Sequence, residues 1–234
     1  QLGLMYRAKA TLNDATFRAV RAGSLHHAYT SEMKRELVRG MVPTLYAVAP
    51  GETPNLAVYT ARRTALEAAY GNPLHPVARV EVISPTAEGF RKMARPAWAL
   101  TSDCGRGGCP NNGDFREVAR EERLYEIAND NLKQRPATLV DVGSRKINVQ
   151  DANILKIRAV WCQEMQVPGI NKLIWETVNL SGLVNSSDWR RCSLLKAAQG
   201  GYYFPLSSHA VMRMQTPVRC QGNTQGNTRC ENLR

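Results

Sequence analysis

Six cysteines are the residues of this chain best equipped for chemistry: Cys104, Cys109, Cys162, Cys192, Cys220 and Cys230. A cysteine serves as a disulfide partner, a metal ligand or a nucleophile. An even count in a loop-rich chain favours three disulfides and an oxidising compartment. Cys104 and Cys109 flank Gly105-Arg106-Gly107-Gly108, and Cys220 and Cys230 flank a loop of Gly, Asn and Gln. Both pairs look local, which would leave Cys162 with Cys192, although spacing does not fix a pairing. Zinc would need CxxC-type spacing and nearby histidine. None of His26, His27, His75 and His209 lies close to a cysteine in sequence. Once oxidised, none of the six is a nucleophile.

Other chemical candidates are weaker. Leu139-Val140-Asp141-Val142-Gly143-Ser144 resembles the first strand and turn of a nucleotide-binding fold, but one glycine is not a GxGxxG fingerprint. A strand ending in a turn explains it as well. His26 and His27 are adjacent, so on a helix they point about 100° apart and share no face. A capping role at a helix C-terminus suits them better. Ser207, Ser208 and His209 lack the GxSxG elbow of a nucleophile. Glu121, Glu122, Glu126 and Asp130, with Arg120 and Arg123, read as the salt-bridged face of a charged helix. Trp161, Trp175, Trp189 and Tyr202-Tyr203-Phe204 read as core. No acid, base and nucleophile converge, so the expectation is a non-enzymatic protein without cofactor or metal.

The elements that would carry these residues follow from periodicity. Leu4, Ala8, Leu12, Ala15, Ala19 and Ala22 form a narrow stripe of apolar and small residues along a helix over 1–28. Small residues let such a helix approach a sheet or another helix closely. Thr30-Ser31 starts a second helix, which Gly40 and Pro43 would end near residue 39. A third helix spans 56–70. Short β-branched runs over 77–83 and 138–142 read as strands, and 86–94 as a helical turn. Residues 101–114 read as a surface loop and 115–132 as a helix. Residues 154–167 and 202–217 alternate and read as long strands that pair at a sheet centre. Helices over 168–180 and 188–198 lie between them. The order predicts an α+β fold: a long N-terminal helix packed on an antiparallel sheet of about four strands, with extra helices and disulfide-stapled loops.

Length and charge set the remaining bounds. The chain has 234 residues, 43% hydrophobic and 22% charged, enough for a packed core. No internal repeat is visible. The net charge of +11 favours acidic partners such as DNA, acidic glycans or anionic lipids. The basic residues are scattered, with no run longer than a pair such as Lys34-Arg35 or Arg190-Arg191. Specific nucleic-acid recognition is therefore not expected. No signal peptide or membrane span is visible, and Gln1-Leu2-Gly3-Leu4-Met5-Tyr6 reads as the continuation of a removed segment.

Several blocks then carry a family resemblance. Tyr6, Leu12, Ala15, Ala19, Arg21 and Gly23 fit the pattern that follows the membrane segment of TadE-like proteins. Val149-Gln-Asp-Ala-Asn-Ile-Leu-Lys-Ile-Arg158 resembles their "Q-D-A-N-L-L-K-I-R" stretch. Ala210-Val-Met-Arg-Met-Gln-Thr-Pro217 resembles a closing "A-x-V-R-M-Q-S-P", and Val80-Glu-Val-Ile-Ser-Pro85 also fits. The chain thus resembles the TadE/TadG class of minor pilins, in tight-adherence (type IVc) pili. That resemblance implies a pilin-like fold and a role in pilus biogenesis, adhesion or secretion. It implies residues 1–28 as a helix continuing a membrane span and 29–234 as a periplasmic or extracellular head. Other pilus subunits, the Tad secretion machinery and the inner membrane would be its partners. The stripe Leu4, Ala8, Leu12, Ala15, Ala19 and Ala22 would carry assembly contacts. The cysteine loops at 101–114 and 220–230 lie outside the family pattern and leave room for a tip or adhesive role. The second reading is a surface module that binds an acidic ligand through its basic surface.

Overall fold

A computed structural model describes residues 2–45, 77–96, 98–102, 115–119, 125–130, 132, 133, 135, 137–180, 186–220, 230, 232 and 233, with isolated positions between 57 and 68. The N-terminal helix α1 runs Leu2–Leu25, slightly shorter than expected. It ends because His27 and Ala28 adopt left-handed φ values of 55° and 62°. Ala28 N–H reaches back to the Gly23 carbonyl at 2.9 Å, the six-to-one bond of a Schellman-type end. Helix α2, Thr30–Leu45, continues through both expected terminators. Pro43 sits inside it. Gly40 is a contact residue instead: a Cβ there would lie 2.5 Å from the Ala15 Cβ. The missing side chain lets α2 approach α1, which a stop signal read from sequence alone cannot distinguish. Described positions of the expected third helix (57, 60, 61, 64, 65 and 68) are helical.

Strand β1 is Ala78–Ser84, followed by α3, Ala87–Met93, whose N-cap Thr86 accepts from Gly89 N–H. Then come β2 (Arg95–Pro96), β3 (Trp98–Ser102), β4 (Phe115–Ala119) and β5 (Tyr125–Ile127). These strands correct the helix expected over 115–132. Its charged composition suits a helix, but β4 pairs antiparallel with β3 and β5 with β2, and such pairing overrides propensity. Glu126 is accordingly not on a solvated helical face; it is buried on β5. Glu121, Glu122, Arg120 and Arg123 lie outside the described residues. The order continues with β6 (Val140–Val142), β7 (Arg145–Ile147), α4 (Val149–Ala152), β8 (Ile154–Glu164), α5 (Ile170–Leu180), α6 (Ser187–Gln199), β9 (Tyr203–Arg213) and β10 (Val218–Arg219).

Among the described residues the main sheet has the order β1-β8-β9, three strands where about four were expected. The other expected strand, β6, pairs among these residues with β7. Gly143, with φ 57°, and Ser144 fold the chain straight back in a two-residue turn. Bonds from Met165 N to Tyr202 O and from Met214 N to Asn153 O fix β8 and β9 as antiparallel. They pair as expected, with β8 central and β9 at an edge.

The chain falls into two compact units. Unit one is Gln1–Ala19, Ser31–Val80 and Ile157–Ala210; unit two is Val20–Thr30, Glu81–Lys156 and Val211–Arg234. Unit one buries Ala8, Leu12 and Ala15 of α1, Met33, Leu37, Val38 and Met41 of α2, and Ile157 to Cys162 of β8 apart from half-exposed Arg158. Its other end packs Met165, Trp175 and Trp189 with Tyr202 and Phe204 around them. In unit two, Phe90, Ile127, Ala128, Ala152, Leu155 and Val218 are buried, along with the polar residues Ser24, Glu81, Glu126, Arg135, Asn153 and Asn232.

Candidate functional site

Within unit one the α1 stripe is enclosed: Ala8, Leu12 and Ala15 are buried, whereas Leu4 is exposed. Ala19 is also buried and Ala22 half-buried. Helix α1 lies against β9, where Lys9 Nζ donates to the Ser207 carbonyl and Ser208 Oγ donates to Asn13 Oδ1 at 2.9 Å. The opposite side of α1 carries large apolar groups. Leu2 and Tyr6 are each 78% exposed and Phe17 is 53% exposed. At 3.6 residues per turn these three lie within about 60° of one another.

Two disulfides are formed, Cys162–Cys192 and Cys220–Cys230, both as the local-pairing reading had them. Cys104 and Cys109 lie outside the described residues. Cys162–Cys192 ties β8 to α6, with Cα atoms 5.5 Å apart. Nearby on α6, Trp189 stacks on Trp175 with centroids 4.6 Å apart and donates its indole N–H to Asn179. Lys196 sits over the rings of Trp175 and Tyr202, at 4.9 and 4.4 Å. Among the described residues every cysteine is oxidised.

The most instructive geometry lies in unit two, where residues 149–154 meet 213–219. Asn148 caps α4 in a full capping box with Asp151. Gln150 Nε2 donates to the Leu132 carbonyl at 2.9 Å. Asn153 is fully buried and donates to the Ala128 and Val149 carbonyls, at 2.9 and 2.8 Å. Its own carbonyl accepts from Met214 N. Beyond Met214, the amides of Gln215 and Thr216 both donate to Ser24 O at 3.0 Å, holding the end of α1. His27 N donates to Thr216 Oγ1, and His27 Nδ1 lies 2.8 Å from Pro217 O. Asn232 Nδ2 bridges the Ala28 and Arg219 carbonyls. Buried Glu126 pairs with Arg219 at 3.0 Å, and Arg135 pairs with Asp130.

No family model, curated protein or solved structure matches the chain.

Ser208 is buried and His209 exposed, on opposite faces of β9, so they do not converge. Asp141 and Gly143 belong to the β6–β7 hairpin rather than to a phosphate loop. There Glu88 is held below the usual carboxylate range by the Lys92 ammonium and by the Gly143 amide. Among the described residues no group of three His, Cys, Asp or Glu is placed to hold a metal, and no helix is long and apolar enough to cross a membrane. Sequence reasoning missed Lys34, which is buried on α2 with its pKa lowered to about 8 by desolvation and by the nearby Arg191. Its position between Met33 and Leu37 in the buried face was the available signal.

Proposed function

We propose that this chain is the exported body of a TadE/TadG-like minor pilin or pilus-assembly component, acting by structure and not by catalysis. One observation supports the reading above the others. The two stretches that most resemble the family, 149–158 and 210–217, are bonded neighbours through Asn153 O and Met214 N. Gln150, Asp151, Asn153 and Thr216 within them bond backbone groups of unit two.

The exposed face of α1 gives the reading a mechanism. Ala8, Leu12, Ala15 and Ala19 are occupied within the chain itself, so the exposed apolar residues of α1, Leu2, Leu4, Tyr6, Phe17 and Leu25, are left to meet other subunits. An N-terminal anchor in the inner membrane would place the body in the periplasm, where the disulfides are stable. Filament counts by electron microscopy test this in the source bacterium. Deletion of the gene should abolish or sharply reduce pili. A Tyr6→Glu, Phe17→Glu double variant should fold with its disulfides intact yet fail to restore them. Normal piliation in the deletion strain would remove the assignment.

A further inference from the structure

Unit two also carries a cavity at its surface. Leu132, Lys133, Gln150, Asp151, Ile154 and Arg213 line a cavity of about 370 Å³. The bond from Met214 N to Asn153 O sets Ile154 directly opposite Arg213 across the β8–β9 ladder, so both side chains stand on one face. Lys133, Arg213 and Ile154 are all exposed there. Among the described residues no ion pair engages Lys133 or Arg213. The other polar groups already have tasks. Asp151 Oδ2 accepts the Asn148 amide in the capping box, and Gln150 spends its NH₂ group on Leu132 O.

From this arrangement we infer that the cavity seats a single carboxylate from an acidic peptide segment of a partner protein. Two cations and the Asp151 carboxylate leave a net charge of one, which balances a monoanion. A phosphate dianion would instead bring excess negative charge against Asp151, and a nucleic-acid backbone would add further phosphates beyond the one that a net charge of one balances. A guanidinium fork suits a carboxylate in two-point contact, and an ammonium adds a point charge beside it. Ile154 and Leu132 offer apolar contact to the residues flanking the acid. A second copy of this chain, at +11, is disfavoured as the partner by its own charge. The inference does not depend on the filament assignment and survives if that fails.

The test uses the chain with its disulfides intact and two probes, acetyl-Val-Leu-Glu-Leu-Val-amide and its Gln counterpart, titrated by heteronuclear NMR. The Glu peptide should shift the amides of Lys133, Gln150, Ile154 and Arg213, with half-saturation at about 1 mM. The Gln peptide should bind about tenfold more weakly. Lys133→Glu with Arg213→Glu should abolish the shifts while leaving the rest of the spectrum unchanged, since both side chains are exposed. Arg213→Lys should retain part of the binding. No shifts at about 10 mM peptide, equal binding of the Gln peptide, or shifts that persist in the double variant would each overturn the proposal. Inorganic phosphate competing as well as acetate would overturn the choice of a carboxylate.

Discussion

The two units of this protein are held together by different means. Unit one is organised by apolar burial and a covalent tie: α1 and α2 in contact at Ala15 and Gly40, β8 filled on both faces, and Cys162–Cys192 beside stacked Trp175 and Trp189. Unit two has its own small core, but its segments are joined by side chains bonded to backbone. Asn153, Gln150, Asn232, Thr216 and His27 each bridge stretches that no strand ladder connects. Apolar burial tolerates volume-conserving substitution. A buried amide that satisfies two carbonyls does not, because losing it strands both partners. The contrast therefore predicts where each unit is fragile.

The largest effect should come from the covalent tie of unit one. Cys162 and Cys192 are 30 residues apart, and Cys220 and Cys230 only 10. On the chain-entropy account, replacing the first pair with alanine costs about 3.6 kcal/mol and the second about 2.7 kcal/mol. Urea unfolding of the two double variants measures both. If the unit-two disulfide proves the costlier to remove, the contrast between the units fails, because unit two would then depend on its staple and not on its polar bridges.

Next in size is Asn153→Ala. It leaves the Ala128 and Val149 carbonyls unsatisfied in a buried place and should cost about 2.5 kcal/mol. Val160→Ala, on the apolar strand of unit one, removes a comparable volume with no polar consequence. Hydrogen exchange read unit by unit should show Asn153→Ala releasing the amides of Met214, Gln215 and Thr216 first. Uniform release across both units would show that the bridges are not local to unit two.

Unit one supplies the converse test at Gly40. A Cβ at that position would lie 2.5 Å from the Ala15 Cβ and 2.7 Å from its Cα, neither of which can swing aside. Gly40→Ala should therefore destabilise by about 2 kcal/mol, although alanine is the better helix former by about 1 kcal/mol. Pairing it with Ala15→Gly should recover most of the loss. A stabilised Gly40→Ala variant would show that the two helices do not meet there.

The same contrast decides what could be read in advance. Periodicity located α1, β8 and β9 because apolar burial repeats at 3.6 or 2 residues. Spacing suggested Cys220–Cys230 as a local pair, with Cys162–Cys192 as the pair that would remain. Gly40 misled because a glycine for close approach and a glycine for chain reversal look alike in sequence. The segment 115–132 misled because Glu126 is charged yet buried, its partner Arg219 being distant in sequence. The roles of Asn153 and Asn232 had no local signature. Asn153 reaches the Ala128 carbonyl and Asn232 the Ala28 carbonyl, each far away in sequence. The α1 stripe was visible as a pattern, but whether it faced inward or toward another subunit was not.

The smallest effect, and the one that probes burial most directly, concerns Lys34. It lies in the buried face of α2 with a pKa of about 8, lowered chiefly by desolvation and further by Arg191. In the unfolded chain the same ammonium titrates near its ordinary value of 10.5. Between these two values the unfolded state binds the additional proton, so stability must rise with pH across that window. Below about pH 8 the residue is charged in both states and its burial cost is felt in full. Stability should therefore increase by about 1 kcal/mol from pH 7 to pH 9, once neighbouring titrations are subtracted. Lys34→Met supplies that subtraction. It keeps the aliphatic stem, should be more stable than the parent at pH 7, and should lack the rise. A parent chain whose stability stays flat from pH 7 to pH 9, matching Lys34→Met, would mean that the ammonium reaches water and that the apolar face of α2 is open at that point.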